Sequence, residues 1–172
     1  FDVLYQIYEE LGYSRREAVA SIINNNLYGM DIDDRAATLA SFALVMKGRE
    51  YFPRIFSALD NEEIEINTLS IQESNSLEDG IIDSLKSHNL LELIKLIELF
   101  DDAKEYGSIL KVGDIALEKV EEEFRSFETK EALFYDEEKR LIKTLIKQAK
   151  IMSQKYDVTV TNPPYMGTKG YS

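Results

Sequence analysis

The chain has 172 residues, enough for one domain with a sizeable core, and its 44% hydrophobic and 30% charged content is that of a globular protein. No apolar run approaches the length of a membrane span, and the absence of cysteine excludes disulfides and thiolate metal sites and fits a reducing cytoplasm. The net charge of −12 is the wrong sign for a surface that grips nucleic acid, so any DNA groove is expected to come mainly from sequence outside these residues.

Phe1, Leu4, Tyr5, Tyr8 and Leu11 recur at helical spacing, and Gly12 ends that helix. The pattern starts abruptly, without an initiator methionine or a signal peptide, so the chain reads as an excised segment of a larger protein. Ser14-Arg15-Arg16-Glu17 is a capping-box pattern opening a second helix, with Ala18, Ile22 and Ile23 on its apolar face and Asn24, Asn25 and Asn26 stopping it. Leu27 to Asp33 reads as a short buried strand ending in acids. Asp33 or Asp34 then caps a long helix through Arg35, Leu39, Phe42, Ala43, Leu44 and Met46. Such a helix-strand-helix unit is what half of a doubly wound sheet shows, and in an open α/β sheet ligands lie beyond the carboxyl ends of the strands. A carboxylate there can accept hydrogen bonds from both ribose hydroxyls of a nucleoside; for Asp33 and Asp34 helix capping is the better account.

A short helical turn is expected over 51–59, entered through Pro53, and a third strand within 62–73 carrying Ile64, Ile66, Leu69 and Ile71. From about 75 to 154 the pattern is helical. Segments 77–85, 90–100, 115–127 and 133–152 carry apolar residues at three- and four-residue spacing, with charged runs such as Glu121-Glu122-Glu123 as solvated faces. The single histidine, His88, falls between two of these helices, where a surface or capping role is expected and a metal site is not.

Tyr156, Val158 and Val160 alternate with Asp157, Thr159 and Thr161, a strand pattern that Pro163 and Pro164 forbid from continuing. The following Asn162-Pro163-Pro164-Tyr165 suits methyl transfer to a planar amino nitrogen. The lone pair of such an amine is delocalised, and two acceptors aimed at its N–H bonds, the Asn162 side-chain oxygen and the Pro163 carbonyl, would draw it back onto nitrogen. Pro164 fixes the direction of that carbonyl, and Tyr165 offers a face on which a flipped base stacks. Ordinary turn formation is the bland account of the same tetrapeptide.

Here the sequence resembles the amino-group DNA methyltransferases that use S-adenosylmethionine, whose catalytic motif is Asn/Asp/Ser-Pro-Pro-Tyr/Phe after a strand. The resemblance implies a class I, Rossmann-like sheet, adenine N6 as the target, and Asn162, Pro163, Pro164 and Tyr165 as catalytic residues. It also implies a ribose role for Asp31 and an adenine-packing role for Ile32, in Gly29-Met30-Asp31-Ile32-Asp33. An acid for the cofactor's adenine amino group would be Glu73 by order along the sheet, or Asp114 by local spelling in Val112-Gly113-Asp114-Ile115. The Gly-rich loop for the methionine end of the cofactor is expected before Phe1. On this reading the chain divides into a cofactor-side portion (1–74), a helical insertion (75–154) and the catalytic strand and loop (155–172). The segments flanking the insertion look most like the large adenine-specific methyltransferases of BREX-type phage-resistance systems, implying DNA and other defence proteins as partners. The same tetrapeptide occurs in protein-glutamine methyltransferases, and a helical interaction module without catalysis is a further alternative.

Overall fold

The computed structural model describes residues 1–107, 110–131 and 136–162. Helix α1 (Asp2–Glu10) ends where Gly12 adopts φ +86°, a conformation that costs glycine least. Helix α2 (Arg15–Ser21) opens on the expected capping box. The Glu17 N–H donates to Ser14 Oγ at 3.3 Å, and the Ser14 N–H donates to a Glu17 carboxylate oxygen at 2.9 Å.

The three asparagines do not simply stop this helix. Ile22–Asn26 widens into a π-helical turn, with the Leu27 N–H reaching the Ile22 carbonyl at 3.1 Å. The widened turn frees the Asn24 side chain to donate to the Glu63 carbonyl at 3.1 Å and accept from the Glu65 N–H at 2.8 Å. Buried Asn67 in turn donates to the Asn24 carbonyl at 2.8 Å, so the turn fixes where the second strand begins.

Two strands form a parallel pair, β1 (Tyr28–Asp31) and β2 (Asn67–Ser70), in register from Tyr28 opposite Asn67 to Asp31 opposite Ser70. Both are shorter than the expected 27–33 and 62–73. Their crossover contains α3 (Asp34–Tyr51) and α4 (Ile55–Asp60), as a parallel connection requires. Helix α3 covers one face of the pair, where Ser41 Oγ lies 2.5 Å from Thr68 Oγ1, while Met30 packs toward the helices on the other. The larger apolar residues of α3 are not all buried. Leu39 and Phe42 are 68% and 60% exposed, whereas Ala37, Val45 and Gly48 are buried. The small face is inside because neighbouring elements come close: a Cβ on Gly48 would stand 2.6 Å from Ile55 Cδ1 and 3.2 Å from Val19 Cγ1.

The helical stretch forms α5 (Asp79–Ser87), α6 (Leu91–Leu99), α7 (Ala103–Tyr106), α8 (Leu117–Lys130) and α9 (Asp136–Ser153). All but the one-turn α7 were expected. Their periodic apolar residues build a core containing Leu93, Leu96, Phe100, Phe127, Ile142 and Leu145, separate from the core of Tyr5, Val19, Ile22, Ile23 and Ile55 in the first part of the chain. Each fully buried side chain of this size contributes roughly 1.5–3 kcal/mol. His88 caps α5, its Nδ1 lying 2.9 Å from the Ser84 carbonyl, which bears out its expected structural role. No helix among the described residues is long and apolar enough to cross a membrane.

The expected strand over 156–161 is absent: the stretch has no regular structure, and Val158 and Val160 are 78% and 91% exposed. A strand exists only as a partner's neighbour, and among the described residues β1 pairs with β2 alone. The segment is tied instead by the Tyr156 hydroxyl, which donates to the Ile151 carbonyl at 2.8 Å, and by an edge-on contact of its ring with Tyr28, centroids 5.3 Å apart.

Candidate functional site at the carboxyl edge of the strand pair

A parallel pair presents both carboxyl ends at one edge, and the chemistry-bearing residues of the first half of the chain collect there. The Asp31 carbonyl accepts from the Ile71 N–H at 2.8 Å, extending the ladder one step past β2. The Asp31 side chain is exposed. Its Oδ1 accepts from the Asp33 N–H at 2.9 Å, and Oδ2 has no protein partner among the described residues. Ile32 follows at 49% exposed, an apolar surface beside an acid. Asp33 proves to be the helix cap, accepting from the Arg35 N–H at 2.7 Å.

Asp34 is not a cap. Gln72 Nε2 donates to its Oδ1 at 3.1 Å, and Lys104 Nζ lies 3.6 Å from Oδ2. Hydrogen bonding from Ser70 and Gln72, together with the nearby lysine, holds the Asp34 carboxyl below the usual carboxylate range. Sequence reading missed this cluster because Gln72 and Lys104 are 32 residues apart in the chain and no local pattern links them to Asp34 or to each other.

Glu73 lies three residues past β2, half-buried at the same edge. One of its oxygens, Oε1, accepts from the Lys104 N–H at 2.9 Å, so its first role is to hold α7. Asp114 is elsewhere: it is exposed in the turn leading into α8, beside no strand end, where the neighbouring Ala116 N–H donates to Glu92. Of the two candidate acids, the fold brings only Glu73 to the edge that holds Asp31 and Ile32.

Asn162 is described and exposed, but it stands on the irregular segment and is not joined to the sheet that carries Asp31. The expectation that both sit on strands of one sheet is therefore corrected for these residues. Pro163, Pro164 and Tyr165 lie outside the described residues. Among the described residues no group of three or more acidic or histidine side chains is arranged to hold a metal ion.

Residues 25–172 match the Eco57I restriction-modification methylase family, and the chain belongs to it. It is similar to the adenine-specific methyltransferase BrxX of Escherichia coli O9:H4 (strain HS), 32% identical over 197 aligned positions that cover 99% of this chain and 16% of that protein. It is also similar to the adenine-specific methyltransferase PglX of Lacticaseibacillus casei (strain Zhang), 34% identical over 180 positions that cover 98% of this chain and 14% of the relative. The chain thus spans about a sixth of the length of the curated relatives it matches.

Proposed function

We propose that the chain is part of the catalytic domain of a DNA methyltransferase that moves a methyl group from S-adenosylmethionine to adenine N6. The observation that carries this reading is Asn162-Pro163-Pro164-Tyr165 in a member of a methylase family whose relatives are named adenine-specific methyltransferases. Those names disfavour a protein-glutamine substrate, and they also favour catalysis over a purely structural helical module.

The residues at the carboxyl edge fit half of the donor. The free Asp31 Oδ2 is an acceptor for the ribose hydroxyls, and exposed Ile32 is a surface for the purine. Glu73, through the oxygen not held by Lys104, is the better acceptor for the purine amino group than Asp114. When bound, the donor supplies an electrophilic methyl group. The Asn162 side-chain oxygen and the Pro163 carbonyl accept from the two N–H bonds of the target amine, so its lone pair is available for attack, while Tyr165 stacks on the extruded base. A Rossmann-like sheet continuing beyond β1 is supported by the pairing of β1 with β2 alone among the described residues. The net charge of −12 supports placing most DNA contacts outside this chain, the absence of cysteine fits a cytoplasmic location, and the resemblance to BREX-type methyltransferases supports a role in phage defence with other defence proteins.

The test is radiolabelled methyl transfer by the intact protein carrying this chain, offered duplex DNA or a release factor. Label on DNA adenine that disappears with Asn162→Ala is the expected result. Label on the release factor, or near-normal DNA methylation by Asn162→Ala, would overturn the assignment.

A further inference from the structure

Residues Asp102–Gly107, which contain α7, belong to the helical stretch yet run across the carboxyl edge of the strand pair. A single helical turn has no stability of its own, so ties to the edge must hold it there. Asn75 Nδ2 donates to Asp102 Oδ1 at 2.6 Å, and the Asp102 N–H donates to Asn75 Oδ1 at 3.0 Å. The Lys104 N–H is taken by Glu73 and its ammonium stands beside Asp34. At the far end Gly107 closes against the base-packing position, a Cβ built on it lying 3.7 Å from Ile32 Cδ1.

The strap is bracketed by two left-handed residues, Asp102 at φ +51° and Gly107 at φ +53°. Aspartate tolerates that region better than most side chains but still at a cost, which the paired hydrogen bonds to Asn75 offset. Strain maintained where the chain crosses a candidate ligand edge points to a positioning role.

We propose that the strap Asp102–Gly107 is the outer wall of the slot for the donor's adenosine group, so that the helical stretch sets donor affinity. This rests on the donor-site reading of Asp31 and Ile32 given above. Ile32 forms the floor, the strap limits the depth of the slot at Gly107, and the exposed Tyr106 beside it supplies an aromatic face for the purine.

The experiment measures the affinity of the intact enzyme for S-adenosylhomocysteine by calorimetry, with duplex-DNA affinity measured in parallel. Asp102→Ala removes the side-chain half of the clamp, the acceptor for Asn75 Nδ2, and should weaken nucleoside binding about tenfold with DNA affinity unchanged. Asp102→Asn keeps an acceptor for Asn75 and tolerates the left-handed backbone, so it should restore binding. Tyr106→Ala, a surface change that leaves the clamp intact, should also weaken nucleoside binding. Unchanged nucleoside affinity in both Asp102→Ala and Tyr106→Ala, alongside a loss in Asp31→Ala, overturns the strap and leaves the donor site standing. Equal losses of nucleoside and DNA affinity in Asp102→Ala also overturn it, as a merely structural defect. No loss in Asp31→Ala refutes the donor-site reading itself.

Discussion

The side chain of Gln148, fully buried on α9, grips both polar groups of the Gln72 backbone: its Oε1 accepts from the Gln72 N–H at 2.8 Å and its Nε2 donates to the Gln72 carbonyl at 3.2 Å. The amide thus takes the place of a neighbouring strand just past β2 and docks α9 against the edge that carries Glu73. Replacing it by Leu preserves bulk but leaves a shielded N–H and carbonyl without partners. Gln148→Leu should cost about 2 kcal/mol of stability, read as a lowered denaturant midpoint at unchanged slope. A midpoint equal to wild type would show that water reaches Gln72 and that the clamp is dispensable.

Gly48 tests the close approach of α2 and α4 to α3. Alanine would gain helix propensity at this position, but the β-branched Val19 gives way less easily than the tip of Ile55. Gly48→Leu goes well beyond that tolerance and should destabilise by roughly 1–3 kcal/mol through overpacking, measured by thermal unfolding.

Acid should unfold the chain before mild alkali does. The Tyr51 hydroxyl, donating at 2.7 Å, and then Lys47 depress the Asp2 carboxyl; Ser14 depresses Glu17, Ser70 depresses Asp34 and the Lys95 ammonium depresses Glu92. A carboxylate whose folded pKa lies below its unfolded value stabilises fully above the unfolded value, about 4, and loses that contribution as pH falls through the folded value. The melting temperature should therefore hold from neutrality down to about pH 5 and drop below about pH 4, with Asp2→Asn flattening the drop. Lys47 and Lys95 are shifted upward, by Glu50 and Glu92 respectively, so their contribution persists through neutrality and fades only above about pH 10. A melting temperature already falling between pH 7 and 5 would contradict this account.

The two proposed site residues should separate kinetically. In the intact enzyme, Asn162→Ala should lower kcat about a hundredfold or more, as loss of an acceptor matched to the transition state does. Asp31→Ala should instead raise KM for the methyl donor with a much smaller change in kcat. The reverse pattern in steady-state assays would exchange their roles.

Local signals in this sequence were read well where they were self-contained. The Ser14–Glu17 box, the Asp33 cap, the Gly12 stop and the periodic helices need only residues a few positions apart, and each appears as expected. Outcomes that depend on neighbours are less legible. Nothing within α3 marks Ala37 and Gly48, rather than Leu39 and Phe42, as its inward face; α2 and α4 press on it and turn the small residues in. Tyr156 to Thr161 has the alternation of a strand but no ladder partner among the described residues, so propensity alone does not make it one. At the candidate site, Asp31 and Ile32 were legible as a strand terminus. The Asn75–Asp102 and Asp34–Gln72–Lys104 ties were not, since they join residues across about 27 to 70 positions of chain with no pattern to announce them.

That β1 pairs with β2 alone, among the described residues, has a practical consequence for anyone producing these residues by themselves. A strand edge without a second ladder partner there, together with the exposed Val158, Val160, Leu39 and Phe42, makes a template onto which further copies add. Recombinant preparations are expected to cluster as concentration rises, and lysines placed at Val158 and Val160 would keep them dispersed.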